Sequence, residues 1–200
     1  MSTPSADTLP GVDFDLAVLG RGLPAEVEAW LRQAGQLGPH APQALELLLQ
    51  ARAAAPEHPA TLIALYRYHF YGHRLSQALE VAEETLAHAR AALMPPVAED
   101  PGALPHITDE QARFDAAARF YLFTLKGYAY LSLRLGRLDS GRLALSTLRL
   151  LDPQDRLGGA VLQAVLARAE RAARGEDEVD FDEQARLEGR KPHRGWGVAS

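Results

Sequence analysis

The chain has 200 residues, a formal net charge of −5, an isoelectric point near 5.8 and no cysteine. An acidic balance excludes the basic face that nucleic-acid phosphates demand. Without cysteine there is no disulfide, zinc ribbon or thiol chemistry.

Leu and Ala dominate, and β-branched residues are sparse. That mixture favours helix, because Val, Ile and Thr lose rotamer freedom there. Residues 1–22 read as an irregular N-terminal segment rich in Ser, Pro, Gly and Asp. Phe14, Leu16, Val18 and Leu19 are its apolar residues, placed to pack on the first helix. Pro24 opens that helix, since its missing N–H costs nothing in a first turn. The helix runs to about Ala34 and ends at Gly35, Gly38 and Pro39. A second is predicted over Pro42–Ala55, carrying Ala44, Leu45, Leu48, Leu49 and Ala51. Ala60–Tyr71 and Leu75–Leu93 form the next pair, with Gly72 at the turn.

A proline-rich insertion, about 94–107, then breaks the pattern, and its length is unusual for a plain connection. Thr108 and Gln111 spell a capping box. It opens a helix over 109–135, with a bend expected near Gly127. Gly136 stops that helix, and a partner follows over 138–151. Asp152-Pro153 caps a last helix over 154–174, with an apolar face of Leu157, Val161, Leu162, Val165, Leu166 and Ala169. Residues 175–200 form a charged tail, acidic over Glu176–Glu183 and basic from Arg186 to Arg194. The start lacks the basic-then-apolar order of a signal peptide, and no apolar run approaches the roughly 20 residues that span a bilayer. A cytoplasmic chain with no membrane contact is expected.

Paired helices invite a search for repeats. Ala44, Leu48 and Ala51 return as Ala78, Ala82 and Thr85, each 34 residues later. Residues 122–155 carry Leu125, Ala129, Gly136, Gly141, Leu145 and a closing Leu151-Asp152-Pro153. In period and in these residues the chain resembles the tetratricopeptide repeat family. Residues 59–92 match in part, with Gly72 one place off, and residues 25–58 match mainly at Ala44, Leu48, Ala51 and Pro56. About 29 inserted residues separate the second and third units. The resemblance implies an all-α solenoid of about three helical hairpins over 23–174, closed by a C-terminal capping helix. The runs Leu65–Tyr71 and Leu125–Tyr130 also resemble small bacterial proteins of this type found near nitrogen-fixation genes.

In that family the first helix of each hairpin lines a concave groove. The resemblance therefore places Ile63, Arg67, Phe70 and Tyr71 of the second unit, and Phe123, Lys126, Tyr130 and Arg134 of the third, as partner-binding residues. Cations and aromatics suit a protein or peptide ligand, acidic peptides included. The chain has no Asn, so the family's asparagine-bearing carboxylate clamp is not reproduced. The acidic run near Asp180 offers an internal counterpart to Arg67, Lys126 and Arg134.

No hydrolase elbow or phosphate loop is present, and the turn at Gly72 separates His69 from His73. No metal, cofactor or catalytic residue is assigned. The expected function is a non-catalytic adaptor or assembly factor. A secretion-type chaperone for a client protein and a helical enzyme or small-ligand binder are the alternatives.

Overall fold

The structure, a computed structural model, describes residues 22–94 and 103–174. The expected N-terminal segment (all but Gly22), the middle of the proline-rich insertion and the charged tail lie outside the described residues. Eight helices and no strand occur among the described residues. They are α1 Ala25–Leu37, α2 Pro42–Ala54, α3 Pro59–Tyr71, α4 Leu75–Ala91, α5 Asp109–Phe114, α6 Ala116–Arg134, α7 Leu138–Leu151 and α8 Gly159–Ala173. None is long and apolar enough to cross a membrane.

Local chemistry fixes most boundaries. Pro42 and Pro59 each occupy the first turn of a helix, where a missing N–H is harmless. The capping box at α5 is present: the Gln111 N–H donates to Thr108 Oγ1 at 3.2 Å and the Thr108 N–H to Gln111 Oε1 at 2.9 Å. Gly35 is helical, and α1 ends at Gly38 with φ +81°.

Two expectations are corrected. The single helix over 109–135 is two helices, broken at Asp115 and not bent at Gly127. Asp115 is extended, and its carboxylate accepts the Ala118 N–H at 2.8 Å, which makes it the N-cap of α6. The last helix begins at Gly159, because Asp152 and Asp155 fold residues 152–158 into a turn. Asp152 Oδ2 accepts from Leu157 N at 2.9 Å and Asp155 Oδ1 from Ala160 N at 3.1 Å. Gly72 stands at the turn between α3 and α4 as expected, with φ −81°, and the left-handed residue there is the next one, His73, φ +58°.

The turns at His73 and Gly136 are the same structure. In each the next residue closes the helix by a long bond back: Arg74 N–H to the His69 carbonyl at 2.9 Å, and Arg137 N–H to Ser132 at 2.8 Å. They stand one 34-residue period plus the 29-residue insertion apart. The positions matched across the pairs, Ala44 and Leu48, Ala78 and Ala82, Gly141 and Leu145, are all buried.

The helices pack in chain order. α1 pairs with α2, α3 with α4 and α6 with α7, while α2 meets α3, α4 meets α6 and α7 meets α8. α1 also approaches α3, α6 approaches α8 and α5 rests on α6, and in no other helix pair do Cα atoms come within 8 Å. Only near neighbours touch, so the core is a row of clusters and not one centre. The first cluster holds Ala34, Ala44, Leu48 and Leu65, the second Ala78, Leu79, Ala82 and Leu131, and the third Leu122, Leu125, Leu145, Leu148, Leu162 and Leu166. On α8 only part of the expected apolar face is packed. Leu162 and Leu166 are buried, while Val161 is 69% and Val165 48% exposed. Among the described residues no further helix packs on that side of α8.

Small residues set the closest crossing. A Cβ on Gly141 would stand 2.5 Å from Leu133 Cδ2. Leu133 can swing aside for a methyl but not for a whole isobutyl group. Gly141→Leu is therefore expected to cost about 1–3 kcal/mol through overpacking. A urea melt checks this, and an unchanged midpoint would contradict the close crossing.

Candidate functional site

α3 and α6 lie on the same side of the row without touching through their backbones: no Cα of one comes within 8 Å of a Cα of the other. Side chains bridge the gap. Phe70 stacks on Tyr66 one turn earlier, with centroids 5.6 Å apart. It meets Tyr130 of α6 at 5.7 Å, and Tyr71 edge-on at 5.4 Å. The Tyr66 hydroxyl reaches across to Gly127, standing 3.0 Å from where a Cβ would be. Gly127 therefore makes room for a tyrosine and does not bend the helix. Burial first, then the neighbouring Tyr71 and Tyr130 phenols, push Tyr66 up to about 12.

Of the eight expected binding residues, Phe70, Tyr71 and Tyr130 come together in this ring cluster. Tyr71 is half exposed, and Arg67 and Arg134 are exposed. Ile63 and Phe123 are half-buried against the third core cluster. Lys126 donates to the Leu157 carbonyl, so its ammonium ties α6 to the α7–α8 turn. The expected internal counterpart near Asp180 lies outside the described residues.

Composition sharpens the picture. All six tyrosines of the chain, Tyr66, Tyr68, Tyr71, Tyr121, Tyr128 and Tyr130, stand on these two helices. Neither helix contains an Asp, Glu, Asn or Gln, although the chain has 26 carboxylates. The polar side chains of these two helices are thus phenols, Thr and Ser hydroxyls, His69 and cations. Tyr66 was legible from this clustering, yet at helical spacing it reads as core. Gly127 and Arg74 left no signal, because their partners lie on other helices.

Arg74 holds one end of α3 in place. Its guanidinium sits 4.2 Å over the Tyr68 ring and donates to the Pro39 and Tyr68 carbonyls at 2.7 and 2.8 Å. Its Nε points at His69 Nδ1 at 3.4 Å. Gly72 is needed for this: a Cβ there would collide with the guanidinium. Burial, then Arg74, hold His69 below the usual histidine range, against a smaller opposing pull from Glu80. The unfolded chain therefore takes up a proton before the folded one. Stability is intact above about pH 6.5 and falls as the pH drops from there through the folded value. Urea melts between neutral and mildly acidic pH should show this loss, and His69→Gln should reduce it. An identical slope in the variant would contradict the assignment.

An uncharacterized 19.8 kDa protein in the nifW 5′ region of Azotobacter chroococcum mcd 1 is similar to this chain. It is 38% identical over 120 residues, which cover 60% of this chain and 67% of that protein. No family model matches the chain. No solved structure matches it.

Proposed function

The chain belongs to one family with the Azotobacter nifW-region protein, and from that kinship and the packing we propose a non-catalytic, tetratricopeptide-type protein-binding module serving nitrogen fixation. The observation that carries the reading is an aromatic and cationic face of α3 and α6, on which Arg67, Tyr71 and Arg134 are exposed beside the Phe70–Tyr130 contact. Alternating pairs that touch only their neighbours are how repeat arrays leave one surface unpaired. The two matching turns, at His73 and Gly136, support a repeat origin. Rigid aromatics offer large contact area at small entropic cost, and exposed arginines select for opposite charge. The two helices carry no carboxylate, His69 is engaged by Arg74 and Lys126 by the Leu157 carbonyl. The nitrogen-fixation setting rests on the nifW location of the relative and on the likeness of the two tyrosine-rich runs.

Arg67→Glu with Arg134→Glu reverses the charge of two exposed positions. Tagged full-length chain from a nitrogen-fixing culture should retain one stoichiometric partner, and the double variant should lose at least about tenfold in affinity with unchanged helicity. Full retention of that partner by the variant would sink the assignment of this face.

A further inference from the structure

We propose that the chain's own charged tail, residues 175–200, folds back on the outer side of α8, with Phe181 against Val161 and Val165 and the acidic run against Arg168 and Arg171. Docking there is independent of what the α3–α6 face binds.

The two ends of the row differ. On α1 the residues Glu26, Glu28, Arg32, Gln33 and Gln36 are all exposed. A polar outer side of that kind is how a repeat array ends in water. At α8 the chain presents the opposite. From Leu157 to Ala167 it carries no charged residue, and Val161 and Val165 stand exposed one turn apart. Arg168 follows one turn beyond Val165, and Arg171 one turn beyond that, both exposed. The one acid of α8, Glu170, pairs with Arg142 of α7 at 2.7 Å. An apolar surface that runs into cations is complementary to a segment both apolar and acidic.

The tail has that composition and begins beside the surface. Glu176, Asp177, Glu178, Asp180, Asp182 and Glu183 follow Arg174 after the single residue Gly175, with Val179 and Phe181 set among them. Its length suffices. Phe181 lies seven residues past Arg174, a span of up to about 23 Å in extended chain. Val161 lies thirteen residues before Arg174, roughly 20 Å along a helix. Laid along α8 as extended chain, Val179 and Phe181 face the helix together. Arginine side chains are long enough to rise from α8 to the carboxylates beside them. A second copy docking through its own α8 brings the same arginines and no acid to the surface. It also arrives at its bulk concentration, whereas a tethered segment acts at an effective millimolar one.

The test uses the full chain, which has no cysteine of its own. Val165→Cys with Phe181→Cys is oxidised mildly at about 1 μM, far below the effective concentration of a tethered segment. An internal disulfide should form, and Arg168→Gln with Arg171→Gln should slow it at least about tenfold with unchanged helicity. The tether is identical in the two proteins, so the difference reads docking and not chance encounter. An equal rate in the glutamine variant overturns the charge-guided contact. A covalent dimer in place of the internal bond gives the surface to a second copy and overturns it as well. So does the absence of any crosslink both in this pair and in Val161→Cys with Phe181→Cys.

Discussion

Leu131→Ala is expected to lower the unfolding free energy by about 2–5 kcal/mol and to split one unfolding transition into two. Leu131 is fully buried, and it inserts from α6 between Ala78, Leu79 and Ala82 of α4. Two of those neighbours are alanines, so they have no side-chain length with which to fill the space left behind. The loss therefore includes a cavity term on top of the transfer of the removed carbons. The position matters beyond its area. α4 and α6 form the main contact between the first two helix pairs and the remainder, across the proline-rich insertion, with the Phe70 and Tyr66 side chains of α3 beside it. In a row of nearest-neighbour contacts, weakening one junction uncouples the units on either side. Calorimetry should show a broadened or double endotherm. A single sharp transition with a loss below about 1 kcal/mol would mean that this junction is not where the halves are joined.

Arg74→Ala should cost about 2–4 kcal/mol, an unusual figure for an arginine that is not fully buried. Most surface cations contribute little, because water screens them. Arg74 differs because it bonds to two main-chain carbonyls and covers an aromatic ring at once. Bonds from a charged donor contribute roughly 1.5–3 kcal/mol, and a cation over a ring roughly 0.5–1 kcal/mol at partly exposed sites. Partial exposure removes some of that sum. The contact also has reach, since the Pro39 carbonyl belongs to the α1–α2 connection. Loss of Arg74 should therefore loosen the first pair from the second and raise amide exchange in α1 and α2 before α6. Arg74→Lys should recover less than half, because an ammonium cannot span both carbonyls while lying flat on Tyr68. Guanidinium melts on the three proteins decide the matter, and equal stability of Lys and Arg would contradict the planar contact.

The helix pairs were legible because proline, glycine and helical periodicity agree along most of the chain. Pro42, Pro59 and Gly38 each act locally, so their effect can be read from neighbours in sequence. The spacing of Ala44, Leu48 and Ala51 against Ala78, Ala82 and Thr85 marked buried positions correctly, because close helix crossings demand small residues whatever surrounds them. The break at Asp115 was not legible. Helix formers flank it on both sides, and Asp acts there as a cap rather than an exposed interior residue. The start of α8 was hidden for a similar reason: the bonds of Asp152 and Asp155 to later N–H groups exist only once the turn is formed.

The residues expected to bind a partner divide along the same line. Tyr71, Phe70 and Tyr130 were placed by register alone, and their rings do meet. Lys126 shares that register, yet the Leu157 carbonyl, 31 residues away, holds its ammonium. No pattern within α6 announces such a partner. Val161 and Val165 have the spacing of a packed face, yet among the described residues no helix lies against them, which the residues of α8 alone do not reveal.

Chain-order stacking underlies every part of this account, and the absence of cysteine makes it directly measurable. Spin labels on single cysteines at exposed Glu28 of α1 and Arg168 of α8 report the span of the row. Packed helix axes are about 8–10 Å apart and α3 stands further than that from α6, so three steps across α1, α3, α6 and α8 give roughly 30 Å or more between the labelled helices. A distance near or above that value is predicted. A distribution centred below about 20 Å would put α1 against α8, close the bundle and remove the open face.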